Sequence, residues 1–315
     1  MKAIILQNAG SAENLEISDV TLPTIKDNEV LIKVSAIGIN PIDIKARSNA
    51  YVLNNILGEE RPAILGWDIS GTVTEAGKDV SAFKIGDEVF GMVNFPGHGN
   101  AYAEYVAAPD SQISKKPSQI SHDEAAAASM ALLTAWQLVV NNGKVKAGDR
   151  VLVHAAAGGV GHFAVQIAKH LGAYVIGTSS AVNRDFILGI GADEHIDYTT
   201  KPFEEGLSDI DFVVDPIGGK TLSRSIGTVK SGGAVGSIVT SQFTEDDQQK
   251  AKNNGVTLIS LLVRSNPEDL AVLADLLERG VIKPHVSRIF SFDEIVQAHL
   301  HIETGKAVGK IIISV

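Results

Sequence analysis

The sequence predicts an α/β protein in which a helix-covered parallel sheet is inserted into a mostly antiparallel β-domain. Its 315 residues suffice for two domains of about 150 residues each. Short alternating strands fill the first third, whereas near-continuous apolar strands alternate with helical segments from Arg150 onwards. Strands that are apolar on both faces and separated by helices are typical of a buried parallel sheet.

The first domain is predicted from short β-branched segments that are broken by Gly, Pro, Asn and Asp. They lie at residues 29–34, 71–74, 87–90 and 103–106. Because their connections are long and irregular, these segments indicate an antiparallel, barrel-like arrangement. The pattern changes near Ser121, where a serine followed by an acidic turn and four alanines predicts the start of a helix.

The second domain is predicted from five apolar runs separated by helical segments. These runs lie at residues 151–155, 174–177, 211–214, 234–239 and 256–263. Beyond them we expect a helix at residues 292–299 and a last strand at 309–315 that returns to the first domain. The prediction is therefore a discontinuous first domain of residues 1–120 and 284–315, interrupted by a second domain of residues 121–283.

Charge and composition exclude several classes of function. The chain has 27 Lys and Arg against 37 Asp and Glu, a formal net charge of −10, which disfavours nucleic acids and anionic membranes as partners. Cysteine is absent, which excludes a thiol nucleophile, a disulfide, an iron–sulfur cluster and a cysteine-ligated zinc. No apolar stretch reaches the roughly 18 residues that span a bilayer and no targeting segment stands out, so we expect a cytoplasmic protein.

The most informative segment is a predicted strand that runs into a glycine turn. It matches G-x-G-x-x-G with Ala156 in the first glycine place and Gly158 and Gly161 in the others, and helical spacing then continues to Gly172. Because these glycines have no side chains, a pyrophosphate could approach the backbone closely. The alternative is a tight turn that binds nothing. The strand–turn–helix context favours a dinucleotide. The contacts are expected from Ala157, Gly158, Gly159, Val160 and Gly161.

The end of the second parallel strand indicates which dinucleotide is bound. An acidic residue there usually bonds the ribose of NAD, but Ser179 and Ser180 are neutral, and Asp185 is expected inside the next helix. Arg184 with the two serines could hold a 2′-phosphate, and Tyr198 could flank the adenine. The sequence thus favours NADP(H), with Arg184 as a merely solvated helix residue as the alternative.

Several further segments keep the order and spacing of one family. They are residues 38–43, 83–91, 101–105, 133–136, 155–161, 191–193, 215–219 and 305–310. Together they resemble the medium-chain dehydrogenase/reductase superfamily, specifically its zinc-independent quinone oxidoreductase branch. The resemblance implies a Rossmann doubly wound parallel sheet inserted into a GroES-like antiparallel β-barrel. It also implies that the first domain is catalytic and the second binds NADP(H).

One departure from the wider superfamily concerns the metal. Zinc-dependent members carry a His-Glu pair in G-H-E-x-x-G, whereas this chain reads Gly66-Trp67-Asp68. Tryptophan cannot ligate zinc, and the usual cysteine ligands are missing. His98 and His154 have no second ligand at useful spacing and are expected to be structural. We therefore expect no bound metal.

The same resemblance implies roles for individual residues. Asn40 would lie near the nicotinamide and the acceptor, although it could be only a turn residue before Pro41. Tyr51 would sit in a loop over the substrate and supply a proton or a hydrogen bond, as water also could. Asp43 would be a general acid only if burial raised its pKa. The residues that would line the cofactor cleft, besides Asn40, are Thr134, Val239, Ser241 and Lys310.

These features predict an NADPH-dependent, zinc-independent reductase that transfers hydride to a small-molecule quinone, enone or other electrophilic carbonyl compound. One alternative is a catalytically weak NADPH-binding protein that acts as a redox sensor or RNA-binding regulator, and the acidic charge disfavours RNA binding. The other alternative is an activity like that of alcohol dehydrogenases. The run at 256–263 is apolar on both faces and last in the predicted sheet, which makes an exposed edge hazardous. Because family members pair this edge, the sequence predicts a homodimer.

Overall fold

The computed structural model describes residues 1–315, which form sixteen strands and ten α-helices. The strands are β1 (Lys2–Leu6), β2 (Leu15–Asp19), β3 (Glu29–Ile39), β4 (Ala63–Ile64), β5 (Asp68–Ala76), β6 (Glu88–Met92), β7 (Tyr105–Pro109), β8 (Ile113–Lys115), β9 (Arg150–Val153), β10 (Tyr174–Ser179), β11 (Glu194–Asp197), β12 (Ile210–Asp215), β13 (Val229–Ser237), β14 (Thr257–Ser260), β15 (Val286–Ser291) and β16 (Lys310–Ser314). The helices are α1 (Pro41–Ser48), α2 (Ala50–Leu57), α3 (His122–Ala127), α4 (Met130–Trp136), α5 (Gly161–His170), α6 (Arg184–Gly189), α7 (Gly219–Ser225), α8 (Glu245–Asn254), α9 (Pro267–Glu278) and α10 (Ile295–Glu303).

The chain forms two compact units, of which unit 1 comprises Met1–Leu133 with Arg264–Val315 and unit 2 comprises Thr134–Val263. The boundary between them falls inside α4 at Leu133 and Thr134. No helix of either unit is both long enough and apolar enough to cross a bilayer.

Unit 2 is built on a six-stranded parallel sheet in the order β11-β10-β9-β12-β13-β14. Its central strands are buried, and residues such as Leu152, Ile176, Val213 and Val235 form one apolar cluster. This is the doubly wound parallel sheet that the apolar runs predicted, because strands covered on both faces need apolar residues throughout.

Unit 1 contains a seven-stranded sheet, in which β15-β16-β3-β5-β6-β8 are neighbours and β7 also pairs with β3, and a three-stranded sheet β2-β1-β4. Its pairings are antiparallel except that β15 and β16 run parallel. The last strand, β16, pairs with β3 and places Ile311 opposite Ile39, so strands from the first and last parts of the sequence share this sheet.

The boundaries of the units differ from those that the sequence suggested. Residues 121–133 and 264–283, assigned to the second domain, lie in unit 1. Helix α3 packs on β3, β5 and β16, where Ala127 and Ile312 share a buried cluster, and α9 packs on β8. The sequence of a helix with one buried face does not say which domain it covers, and the tertiary partners of α3 and α9 place both helices in unit 1.

The strand predicted at 256–263 is also shorter than expected. It is the last strand of the sheet, as predicted, but β14 ends at Ser260 and none of its residues is fully buried. Leu262 lies beyond the strand with 56% of its surface exposed. The apolar run therefore combines an edge strand with an exposed segment rather than forming one strand buried on both faces.

Candidate functional site

The glycine turn connects β9 to α5 as the sequence predicted. A Cβ on Gly161 would lie 2.1 Å from the backbone oxygen of Ala155 and 2.8 Å from Cα of Ala156, so only glycine lets α5 start this close to the strand. A Cβ on Gly158 would lie 3.2 Å from the Ala155 oxygen, which is tight but less severe. The helix ends at Leu171, and Gly172 follows with a φ of +85°. The turn thus leaves bare backbone at a helix start, the arrangement that receives a pyrophosphate.

Except for Thr134, the other residues of unit 2 that were predicted to bind the cofactor also lie at or beyond the carboxyl ends of its strands. Chain order runs outward from β9 to β11 on one side and from β12 to β14 on the other, so the order reverses between β9 and β12. Ligands of open parallel sheets bind outside the carboxyl ends at such a reversal. Val239 and Ser241 are exposed just beyond β13, whereas Thr134 is buried in α4.

Neutral hydroxyls and one exposed cation surround the end of β10. Ser179 is the last residue of the strand, Ser180 follows it, and Arg184 begins α6 with 60% of its side chain exposed. The only ion pair of Arg184 is with its exposed neighbour Asp185, 3.3 Å away. Tyr198, 57% exposed, follows β11, and its backbone N–H donates to the Ser179 oxygen at 3.3 Å. These groups suit a phosphate attached to a ribose.

Sequence reasoning missed His195 at this place. Its Nε2 lies 2.9 Å from the Ser179 hydroxyl, because β11 runs parallel to β10 with His195 opposite Gly177. The register of two parallel strands is not written in either strand alone. No signal in the sequence pointed to His195, because residues 194–197 are not among the predicted strands.

Two of the three candidate catalytic residues, Asn40 and Asp43, lie in a buried polar group of unit 1 that also contains Asp68 and Lys310. The Asn40 Nδ2 donates to Asp68 Oδ2 at 2.8 Å, and the Lys310 ammonium donates to Asn40 Oδ1. Lys310 also donates to the backbone oxygen of Ile39 at 3.0 Å and lies 3.4 Å from Asp68 Oδ2. Asp68 Oδ1 accepts the backbone N–H of Met130 at 2.9 Å. Asn40, Asp68 and Lys310 are 4%, 0% and 3% exposed, so this is a desolvated network.

Burial has two effects on the carboxyl groups of this network. It raises the pKa of Asp68, while the ammonium of Lys310 and the hydrogen bonds from Asn40 and Met130 lower it. Burial also raises the pKa of Asp43 to about 7, against the lowering effect of the Asn40 backbone N–H, which donates to Asp43 Oδ2 at 2.7 Å. A general acid at this position requires that burial raise the pKa of Asp43, and burial does raise it. Asp43 is 0% exposed, and its role as a general acid stays a prediction.

Two other residues differ from their expected surroundings. Tyr51 belongs to the helix α2 rather than to a loop, because the side chain of Asn49 accepts the N–H groups of Tyr51 and Val52 and starts that helix. The Tyr51 side chain is 76% exposed. Lys310, expected to line the cofactor cleft, already donates to three oxygens of its own chain.

The donor set around Asn40 does not fit zinc. Trp67 is completely buried and donates its indole N–H to the Gly97 oxygen at 2.8 Å, while its ring packs edge-on against Phe95. Asp68 and Asn40 are both engaged by the Lys310 ammonium, itself a cation. A zinc ion prefers histidine, thiolate and carboxylate ligands, and this group contains the carboxyl groups of Asp68 and Asp43 but no histidine or thiolate.

Two of the three buried histidines, His154 and His299, have structural surroundings. His154 Nδ1 lies 3.1 Å from the Thr178 hydroxyl and its Nε2 lies 2.8 Å from the Ser225 hydroxyl, and burial lowers its pKa to about 4. His299 Nε2 lies 2.9 Å from the Tyr102 hydroxyl, and burial lowers its pKa to about 3. Both rings are therefore neutral at physiological pH and hold their neighbours in place.

Comparison with known proteins adds the family context. A family model described as alcohol dehydrogenase GroES-like domain matches residues 26–118, and one described as zinc-binding dehydrogenase matches residues 190–313. The chain is 34% identical to the mouse (Mus musculus) NAD(P)H oxidoreductase RTN4IP1, mitochondrial, over 100% of the chain and 89% of that protein.

Two further proteins are similar over nearly the whole chain. The 2-methylene-furan-3-one reductase of Solanum lycopersicum is 34% identical over 99% of the chain and 79% of that protein. The structure of the quinone oxidoreductase from Coxiella burnetii superposes with a TM-score of 0.93 at 38% identity, covering 100% of this chain and 99% of that one.

Proposed function

This chain belongs to the medium-chain dehydrogenase/reductase superfamily, in its quinone oxidoreductase branch, and on that premise we propose that it is an NADPH-dependent reductase of quinones, enones or related electrophilic carbonyl compounds. The observation that carries the proposal is the buried network of Asn40, Asp68 and Lys310. It offers a hydrogen-bond donor where zinc-dependent relatives place metal ligands. The names of the relatives, which include a quinone oxidoreductase and a 2-methylene-furan-3-one reductase, support the same acceptor class.

The donor set explains why the proposal is a reduction of electron-poor acceptors. Oxidising an unactivated alcohol requires that something stabilise the alkoxide, which a Lewis acid normally does. An enone or quinone that receives hydride places its negative charge on an oxygen, and a hydrogen-bond donor is enough to stabilise it. Asn40 is the proposed donor. Tyr51 is the proposed second donor, and unchanged turnover in Tyr51→Phe would remove it from the mechanism.

The cofactor proposal is NADP(H), with the hydride supplied by the reduced nicotinamide when it is bound. Ala157 to Gly161 would hold the pyrophosphate, because Gly158, Gly159 and Gly161 lack side chains and lie at the start of α5. Ser179, Ser180 and Arg184 would hold the 2′-phosphate. The absence of an acidic residue at the end of β10 supports NADPH over NADH.

We further propose that the enzyme works without zinc and forms a homodimer. The ammonium of Lys310 beside Asn40 and Asp68 supports zinc independence, because a second cation there would be repelled. The free edge of β14 supports the dimer, because a strand with unpaired N–H and C=O groups invites a second copy. Light scattering at micromolar concentration should give twice the chain mass, and a monomer would contradict the dimer.

The experiment that tests the function is NADPH oxidation against 1,4-benzoquinone, 9,10-phenanthrenequinone, enones and 2-alkenals. We expect turnover with at least one of these acceptors, unchanged by a chelator, and a lower KM for NADPH than for NADH. NADPH binding without turnover would favour a redox sensor. Alcohol oxidation that a chelator abolishes would instead favour a zinc-dependent alcohol dehydrogenase.

A further inference from the structure

The side-chain amide of Asn40 is held in one orientation from both sides. An ammonium can only donate, so the group that faces Lys310 must be the amide oxygen Oδ1. The amide nitrogen then faces Asp68 Oδ2 at 2.8 Å, where a carboxylate accepts it. Rotating the amide by half a turn would set two donors against each other and two oxygens against each other. The Lys310–Asp68 pair therefore fixes the amide, and the backbone N–H of Asn40 is fixed separately by Asp43.

One donor hydrogen of this network has no acceptor within the chain. The three hydrogens of Lys310 point to Ile39, Asn40 and Asp68, and Asp68 Oδ1 accepts from Met130. The Nδ2 group of Asn40 carries two hydrogens and donates only one of them within the chain. The second Nδ2 hydrogen is thus an oriented donor without an acceptor in this molecule.

We propose that Lys310 and Asp68 are positioning residues that aim this second Nδ2 hydrogen of Asn40 at the oxygen that becomes anionic when the acceptor is reduced. The inference rests on the proposed reductase function and extends it. An enone gains a hydride at its β-carbon, its C=C electron pair shifts towards the carbonyl carbon, and the C=O pair moves onto oxygen. The acceptor is reduced and the nicotinamide oxidised, and a solvent proton later completes the product.

The network also strengthens the donor it positions. A cation on Oδ1 draws electron density from the amide, so the Nδ2–H group becomes more positive, and the effect is larger in a desolvated site. Asp68 balances the charge of Lys310, so the site gains a polarised donor without burying an unpaired ammonium. Removing one preorganised donor of this kind typically costs about 10²- to 10³-fold in kcat.

Three variants separate donation, positioning and plain destabilisation. Asn40→Ala removes the donor and leaves the Lys310–Asp68 pair intact. The double variant Lys310→Met with Asp68→Asn removes both charges together, so that no charge is left buried without a partner. Lys116→Met is the matched control, because Lys116 is a lysine of unit 1 whose side chain is only 7% exposed. It donates to two backbone oxygens and pairs with Glu88 at 3.1 Å.

Steady-state kinetics with NADPH and an enone give the first readout. Asn40→Ala should lose about 100-fold or more in kcat. The double variant should lose about 10- to 100-fold, because a donor that is free to rotate is misplaced in most molecules. The KM for NADPH should stay within about threefold in both. Lys116→Met should keep its kcat even if urea unfolding shows an equal loss of stability. Wild-type kcat in Asn40→Ala or in the double variant would overturn the proposal.

A second readout does not depend on turnover. In protein labelled with 15N-asparagine, the side-chain signals that vanish in Asn40→Ala identify the Asn40 amide. We expect these signals to move and to exchange faster with solvent in the double variant but not in Lys116→Met. Unmoved signals would overturn the positioning role. If wild-type enzyme reduces no acceptor, the reductase function fails and this inference falls with it. Wild-type turnover in the double variant, with the loss in Asn40→Ala retained, would reject the inference alone.

Discussion

The substitution Gly161→Ala tests whether the glycine turn is required by the packing of α5 on β9. The added Cβ would lie 2.1 Å from the Ala155 oxygen, whereas real Cβ atoms stay beyond 3.0 Å from such neighbours. The opposing atoms are backbone, so no flexible side chain can move aside. Either the helix start shifts outward by about 1 Å or the turn before it is distorted.

The expected loss of stability follows from what such a shift would disturb. Residues Gly161 to Ala168 of α5 are all buried, so a moved helix loses contacts along two turns. Overpacking of this kind costs about 3 kcal/mol at the upper end of its usual range. Replacing glycine by alanine in a helix returns up to about 1 kcal/mol. The net prediction is a free energy of unfolding lower by about 2 kcal/mol.

Urea unfolding monitored by circular dichroism measures this change, and two other glycines serve as controls. A Cβ on Gly189, in α6, meets no atom within 4 Å, so Gly189→Ala should raise stability by about 0.5 kcal/mol. Gly158→Ala should cost less stability than Gly161→Ala, because its closest contact is 3.2 Å. It should nevertheless weaken NADPH binding, measured by fluorescence titration, because the methyl group occupies the approach to the backbone.

Equal stability of Gly161→Ala and wild type would refute the argument that backbone contact alone requires glycine here. A stable Gly158→Ala variant with unchanged NADPH affinity would refute the separate argument that this glycine faces the cofactor. The two outcomes are independent, so each claim about the turn can fail alone.

Three further predictions concern charge. Burial lowers the pKa of His154 to about 4, so between pH 6.5 and 4 the wild-type ring takes up a proton only on unfolding. The free energy of unfolding of wild type therefore falls by about 1.4 kcal/mol per pH unit as pH falls through this range, and His154→Phe should remove that contribution. Burial raises the pKa of Asp43 to about 7, so the folded state is favoured while this carboxyl group is protonated and loses stability as pH rises from 4 to 7. Relative to wild type, the free energy of unfolding of Asp43→Asn should therefore increase by about 1.4 kcal/mol per pH unit over this range. A difference in urea unfolding that does not change with pH would contradict this. Arg184→Ala should raise the KM for NADPH about 10-fold or more and leave that for NADH unchanged, and equal effects on both would argue against a 2′-phosphate site.

The parts of the structure that the sequence predicted well are those encoded by neighbouring residues. The strand, glycine turn and helix from Arg150 to Gly172 follow from a continuous apolar run, glycine spacing and helical periodicity. The helix after Ser121 follows from its cap, whose hydroxyl accepts the Glu124 N–H at 3.2 Å. Such signals are local because the hydrogen bonds that realise them span a few residues.

The parts that could not be predicted depend on distant residues. Asn40 and Asp68 are 28 positions apart, and Lys310 reaches Asn40 across 270, so no spacing rule places them together. The resemblance named Asn40 and Lys310 separately and identified Asp68 only as part of a missing metal motif. That Asp43 is fully buried was equally hidden, because a carboxylate in the first turn of a helix is normally solvated.

The absence of cysteine and the buried lysine belong to one physical argument. A desolvated carboxylate such as Asp68 needs a cation, and in a chain without thiolate ligands a lysine ammonium supplies it. The Lys310 ammonium cannot bind a substrate oxygen as a metal would, because all three of its hydrogens already donate to oxygens of its own chain. Its influence must therefore pass through the amide of Asn40, as one oriented hydrogen bond. That donor is weaker than a Lewis acid, so the chemistry it can support is limited to acceptors whose reduced oxygen is already a stable anion.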